Sequence, residues 1–209
     1  MADGLDPERR QHAALPTTLS MARCAARARD GRRGRRRAPV QRVSRAAPLQ
    51  GVRCLVDAGS LAWRARLHPD WVTPPDPMRV INEVGSLAFS PQTPFIAFHA
   101  LLVLAAANDP AAIRAINVPG ASDAQLTTLR LIGEGLIALT AGEPRAALDY
   151  LLESLGGLAS IGGSRVQQEV ILETALAAML QLGAPGQAAR LLSRHRAAPG
   201  PQVTRGAVN

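Results

Sequence analysis

The most informative part of this sequence is the turn Ala141-Gly142-Glu143-Pro144 together with the segments on either side of it. Apolar residues recur at helical spacing before the turn, and an alanine-rich segment begins directly after it. Glycine ends helices readily because it adopts a left-handed conformation, and proline opens them because its missing N–H is not needed in the first turn. The stretch therefore predicts two antiparallel helices joined by a tight turn, which is a helical hairpin.

The same turn pattern occurs three times along the chain. The other two copies are Ala107-Asn108-Asp109-Pro110 and Leu182-Gly183-Ala184-Pro185, at offsets of 34 and 41 residues. Offsets in this range are typical of paired-helix solenoids. Two capping-box spacings, Ser122 to Gln125 and Ser164 to Gln167, predict where two of the longer helices begin.

The central hairpin resembles a tetratricopeptide repeat. Gly135, Gly142, Ala147 and Leu151 fall at the small, turn, small and large positions of that repeat, whereas Ala138 stands where tyrosine is usual. We therefore expect an all-α fold of antiparallel hairpins over residues 52–197, stacked as a tetratricopeptide-like α-solenoid. A solenoid of this kind leaves an elongated concave groove, which suits a helix or an extended peptide.

Composition agrees with an all-α protein. Hydrophobic residues make up 47% of the 209 residues but aromatic residues only 3%, which argues against a β-sandwich or an aromatic platform that stacks bases. Proline-rich stretches predict a loop over 68–77 and a break over 90–94. Helices are predicted over 52–67, 78–87, 95–107, 111–116, 123–141, 144–159, 165–182 and 185–196.

The positive charge lies at one end of the chain. Residues 1–50 hold 12 of the 24 arginines and four of the 16 acids, so they account for the whole net charge of +8. This segment lacks apolar periodicity, and we expect a disordered arm there. Its arginines over 23–45 offer a site for nucleic acid. The sequence favours a solvated tail, or a segment translated in a changed reading frame, over that interpretation. Residues 198–209 are expected to form a frayed tail.

Other features exclude several classes of protein. The N-terminus lacks the apolar run of a secretory signal, and the longest apolar stretch, 95–107, is too short to span a bilayer, so we expect a cytoplasmic protein without membrane contact. Cys24 and Cys54 match no zinc or redox motif, and the histidines have no metal-ligand spacing. We expect no metal, no cofactor and no catalytic constellation.

Three segments together resemble the tetratricopeptide-repeat protein 38 family, a helical-repeat family without an established biochemical activity. They are Leu55-Val-Asp57-Ala-Gly-Ser60-Leu-Ala-Trp63-Arg64, Phe95-Ile-Ala-Phe-His99-Ala100 and Ile161-Gly-Gly-Ser164-Arg165-Val-Gln167-Gln-Glu169. The resemblance covers about residues 52–197. Family members are about twice as long, so the resemblance implies a truncated or frame-disrupted copy of the C-terminal half. Ile96 and Ala97 replace the family's Asn and Asp, and Arg165 replaces its His.

These segments supply the candidate groove residues. They are Asp57, Ser60, Trp63, Arg64, His99, Ser164 and Arg165. A structural role explains several of them as well: Trp63 and His99 as core residues, and Ser164 as a helix cap. The sequence favours a non-enzymatic scaffold that binds another protein or peptide in the groove. The alternatives are a hydrolase-like enzyme using Asp57, His99 and Ser164, and nucleic-acid association through the arginine-rich arm.

Overall fold

A computed structural model describes residues 49–68, 70, 71 and 73–197, and this part of the chain is helical with no strand. Of the arm predicted over 1–50, residues 1–48, which include the segment 23–45, lie outside these residues, and so does the tail predicted over 198–209. The helices are α1 (Leu49–Cys54), α2 (Ser60–Leu67), α3 (Pro77–Val84), α4 (Pro94–Ala106), α5 (Pro110–Ala115), α6 (Asp123–Thr140), α7 (Pro144–Ser154), α8 (Leu158–Ile161), α9 (Arg165–Gln181) and α10 (Pro185–Ala197). A π-helical segment, Leu55–Gly59, joins α1 to α2, and short 3₁₀ turns follow α3 and α7.

The all-α prediction is confirmed, and most predicted helices lie within two residues of their predicted bounds. The first helix begins at Leu49, three residues earlier than predicted and inside the segment assigned to the arm. The predicted helix over 144–159 is wrong after Ser154, because α7 ends there and a 3₁₀ turn, Leu155–Gly157, separates it from α8. Gly156 and Gly157 explain the break, since glycine disfavours helix interiors. A Cβ atom at residue 157 would also overlap the side chain of Thr128.

The three turns found in the sequence share one backbone geometry. Their central residues, Asn108, Gly142 and Gly183, have φ angles of 60°, 79° and 68°. In each turn the next residue donates its N–H to a carbonyl five residues earlier: Asp109 to Leu104 at 3.0 Å, Glu143 to Ala138 at 2.9 Å and Ala184 to Met179 at 3.0 Å. This is the Schellman arrangement, and a proline at the first helical position follows it each time.

Helices α6 and α7 form the most closely packed hairpin. A Cβ atom added at Gly135 would lie 2.8 Å from Cγ of Leu151 and 3.4 Å from the carbonyl oxygen of Ala147. Ala147 and Leu151 are both fully buried. Three residues that match the repeat pattern therefore meet at one point, where the small residues let the two backbones approach.

Helix α4 lies at the centre of the described fold. Every residue from Ala97 to Ala106 is buried, so this helix has no solvent-facing side over that stretch. Helices α2, α3, α5 and α6 all pack against it. Helix α9 packs against α7 and, on another side, against α2, so α2 and α9 lie side by side although a hundred residues separate them.

None of the helices in residues 49–197 that the structure describes combines the length and the hydrophobicity needed to cross a membrane.

Candidate functional site

His99 is the most unusual polar residue of the core. It lies on α4 with no exposed surface, and its Nδ1 is 3.0 Å from Oγ of Ser60 on α2. The rings of Phe95 and Phe98 meet the imidazole edge to face, with centroids 4.8 and 4.9 Å away. Its Nε2 is buried and has no hydrogen-bond partner among the described residues. Burial and then the charge of the Arg64 guanidinium lower the pKa of His99 to about 4, so the ring is neutral at neutral pH.

Three hydrogen bonds link α2 to α9, and one of them runs from a terminal nitrogen of Arg64 to the carbonyl of Val166 at 3.4 Å. Trp63 donates its indole N–H to Oγ1 of Thr174 at 2.9 Å, and Thr174 donates its hydroxyl to the carbonyl of Val170 at 2.6 Å. Arg64 donates from Nε to Oε2 of Glu173 at 2.6 Å, with about a quarter of each side chain exposed. We call the set Ser60, Trp63, Arg64, His99, Glu173 and Thr174 the polar seam.

The polar seam contains two residues that sequence reasoning missed. Glu173 and Thr174 lie more than a hundred residues from their partners along the chain. The one signal in the sequence for this contact was Thr174, whose hydroxyl lies within the apolar stripe of a helix. A buried indole N–H such as that of Trp63 needs an acceptor, and a buried hydroxyl can supply one. No local pattern in the sequence joins that hydroxyl to Trp63.

The other predicted groove residues lie elsewhere. Asp57 is exposed on the π-helical segment. Ser164 caps α9: its Oγ accepts from the Gln167 N–H at 3.3 Å, and the Gln167 side chain accepts from the Ser164 N–H at 2.7 Å. Arg165 donates to the carbonyl of His195 at 2.6 Å. In the described part of the chain no hydrogen bond joins His99 to Asp57 or Ser164.

The position of the seam shows that the prediction of an open groove at these residues is wrong. Ser60, Trp63 and His99 are only 6%, 1% and 0% exposed, so they lie in the core and do not line an open surface. Trp63 is buried where α9 packs against α2, and Ser60 and His99 meet where α2 packs against α4. A serine–histidine pair acts as a nucleophile only where a substrate reaches it and a third group orients the ring. Here the pair is closed to solvent, and the contacts of the seam hold three helices together.

Outside the seam, titratable groups form two small clusters, Arg114 with Glu134 and Glu169 with Arg165 and His195. No three His, Cys, Asp or Glu side chains in the part that the structure describes lie close enough to hold a metal ion. Burial, with the nearby carboxylates of Glu83 and Asp57, raises the pKa of the Cys54 thiol, which makes it a weak nucleophile at neutral pH.

The last helix presents the clearest charged surface. Helix α10 carries three arginines and no acid, and it packs against α9 through the buried Ala188. Four exposed residues lie together on its outward side, namely Ala189, Arg190, Ser193 and Arg194; we call this surface the terminal face. Arg190 and Arg194 form no hydrogen bond or ion pair with other described residues. The terminal face therefore offers two unneutralised guanidinium groups beside small side chains.

No protein-family model, curated protein or solved structure matches this chain. A proposal of function therefore rests on the sequence patterns and on the geometry of the described residues.

Proposed function

We propose that this chain is a non-enzymatic helical-repeat scaffold that binds another protein, and that it is a relative of the tetratricopeptide-repeat protein 38 family acting in the cytoplasm. The observation that carries the proposal is the threefold recurrence of one helix-ending turn, with the same hydrogen bonds and the same following proline. Helical arrays built from such units serve widely as binding surfaces. The close approach of Gly135 to Leu151 supports the tetratricopeptide-like assignment of the central hairpin.

Binding is better supported than catalysis by the distribution of polar groups. His99, the base of the hydrolase-like alternative, is enclosed in the polar seam, where a substrate has no access, and Ser164, its serine, caps α9 and forms no hydrogen bond with His99. Most unpaired charges of the described residues lie on the outside. An exposed charged surface favours recognition of a partner.

The terminal face is the proposed contact surface. In a helical array each hairpin is covered by the next, and no described helix covers the outward side of α10. Ala189 and Ser193 are small enough to let another helix approach closely. Arg190 and Arg194 flank them and would pair with carboxylates. We therefore expect a partner that presents a helix with acidic side chains.

The test is affinity capture with the full chain from lysate of the native host, followed by quantitative mass spectrometry. The variant Arg190→Glu/Arg194→Glu reverses the charge of the terminal face. The matched control, Arg79→Glu/Arg145→Glu, makes the same change in net charge at two exposed arginines on α3 and α7. We expect a protein that is recovered by the wild type and the control and is lost with the terminal-face variant.

Two outcomes would contradict the proposal. Recovery of the same proteins by both variants would show that the terminal face is not the contact surface. Recovery of nucleic acid instead of protein, abolished by nuclease or by raised salt, would favour the arginine-rich arm as the binding element.

A further inference from the structure

A small apolar cavity lies apart from both the polar seam and the terminal face. Its volume is about 270 Å³. It is partly open to solvent and is lined by α5, by the loop that follows α5, by one side of α6 and by Leu101 of α4. Four of its apolar lining residues, Leu101, Ile113, Val118 and Leu129, are at most 5% exposed. None of the residues that line it belongs to either of the two surfaces described above.

The mouth of the cavity carries one unneutralised positive charge. Arg114 on α5 donates from Nε and from a terminal nitrogen to the two carboxylate oxygens of Glu134, both at 2.9 Å. The charges of Arg114 and Glu134 cancel in this bidentate pair, and the hydrogen bonds from Arg114 lower the pKa of Glu134. Arg130, one helical turn before Glu134 on the same side of α6, also lines the cavity and is exposed. It forms no hydrogen bond or ion pair with the other described residues.

We propose that this cavity binds a small amphipathic carboxylate, namely a monocarboxylic acid with an apolar chain. The chain would occupy the apolar lining, and the carboxylate would pair with the guanidinium of Arg130. The volume lies just below the roughly 300–1,000 Å³ of sites for drug-sized ligands, so the ligand is small. This site is independent of the proposed scaffold function, because it shares no residue with the terminal face.

Two dependences follow from this chemistry. Each methylene buried in the cavity should strengthen binding by about fourfold, which is the equivalent of about 0.8 kcal/mol. Removal of the Arg130 charge should weaken binding by about fivefold, because the ion pair lies at the cavity mouth and is partly screened by water. A neutral ligand of the same chain length should bind correspondingly more weakly.

The experiment is a titration of the full chain, labelled with carbon-13 at the isoleucine δ1 methyl groups, with sodium butanoate, sodium octanoate and 1-octanol. Ile113 and Ile116 line the cavity, whereas Ile81 and Ile161 lie outside its lining. We expect octanoate to shift the first two methyl signals and to leave the other two unchanged. Octanoate should also bind more tightly than butanoate and than 1-octanol.

Two variants test separately the charged group and the apolar space of the site. Arg130→Gln removes the charge, and Leu126→Trp fills the mouth from a residue that is 36% exposed. Arg145→Gln, at an exposed arginine of α7, is the matched control and should bind octanoate as the wild type does. Three results would each overturn the proposal. The first is equal affinity for octanoate and 1-octanol, the second is an octanoate affinity that Arg130→Gln leaves unchanged, and the third is octanoate shifts that spread over all isoleucines. Absence of any shift at Ile113 and Ile116 would do the same.

Discussion

At the scale of single residues, His99 combines complete burial with one hydrogen bond and one unpartnered nitrogen. Because its folded-state pKa of about 4 lies below the ordinary value near 6.5, the unfolded chain binds a proton between these two pH values and the folded chain does not. The stability that depends on a neutral His99 is therefore fully present above about pH 6.5. It is lost as the pH is lowered toward 4, so the free energy of unfolding falls over this range. With 1.36 kcal/mol for each pH unit, this contribution reaches about 3 kcal/mol.

This pH dependence is measurable by urea denaturation of the full chain at pH 7, 6 and 5. The variant His99→Gln should lose stability at pH 7 and should show a shallower fall toward pH 5. His68→Gln, in the loop after α2, is the control and should keep the wild-type slope. Parallel slopes for the wild type and His99→Gln would show that the histidine does not bind the additional proton on unfolding.

The close contact at Gly135 predicts a second effect at the residue scale. Gly135→Ala places a methyl group 2.8 Å from Cγ of Leu151, so the hairpin must open or Leu151 must move. We expect a loss of about 1–3 kcal/mol in the free energy of unfolding, which is the usual result of overpacking. Gly156→Ala is the control, because its methyl group meets open space. Equal stabilities of the two variants would show that α6 and α7 are not in close contact at Gly135.

At the scale of elements, the three turns form a natural comparison. Gly142 and Gly183 occupy the left-handed position without cost, whereas Asn108 adopts the same conformation with a side chain. We expect Gly142→Ala to destabilise the chain by about 1 kcal/mol, because a left-handed conformation costs an L-residue roughly that amount. Asn108→Gly should be neutral or stabilising.

Thermal and urea denaturation of the two single variants and of the double variant would check this expectation. The turns at Asn108 and Gly142 are separated by α5 and α6, so the two effects should add. A stabilising Gly142→Ala would contradict the equivalence of the turns, because alanine is favoured over glycine only where φ is negative.

At the scale of the whole molecule, the contact between α2 and α9 joins the first and the later helices of the described fold. The hydrogen bond from Trp63 to Thr174 spans 111 residues and is completely buried. A double-mutant cycle with Trp63→Phe and Thr174→Val should give a coupling of about 1 kcal/mol, which is the usual net value of one buried hydrogen bond. Helical content measured by circular dichroism should not change, because the bond joins helices and does not form them.

The control for this cycle is Trp63→Phe combined with Thr140→Val. Thr140 bonds only within its own turn of α6, so no coupling to Trp63 is expected. A coupling near zero for the first pair would show that α2 and α9 are held together by apolar packing alone.

Much of the helix pattern followed from the sequence because the signals that begin and end helices are local. The capping boxes at Ser122 and Ser164 and the prolines at 110, 144 and 185 each act within a single helical turn. The break after Ser154 escaped notice because it depends partly on a contact between Gly157 and Thr128, which belongs to another helix.

The sequence alone determined that the described part of this chain is helical and where most of its helices begin and end. Only the tertiary structure decided that Ser60, Trp63 and His99 are core residues and not groove residues, and that Glu173 and Thr174 complete the polar seam. The physical reason is the range over which each interaction acts. A cap or a turn depends on neighbours a few residues away, whereas the burial of a side chain depends on which distant helix packs over it.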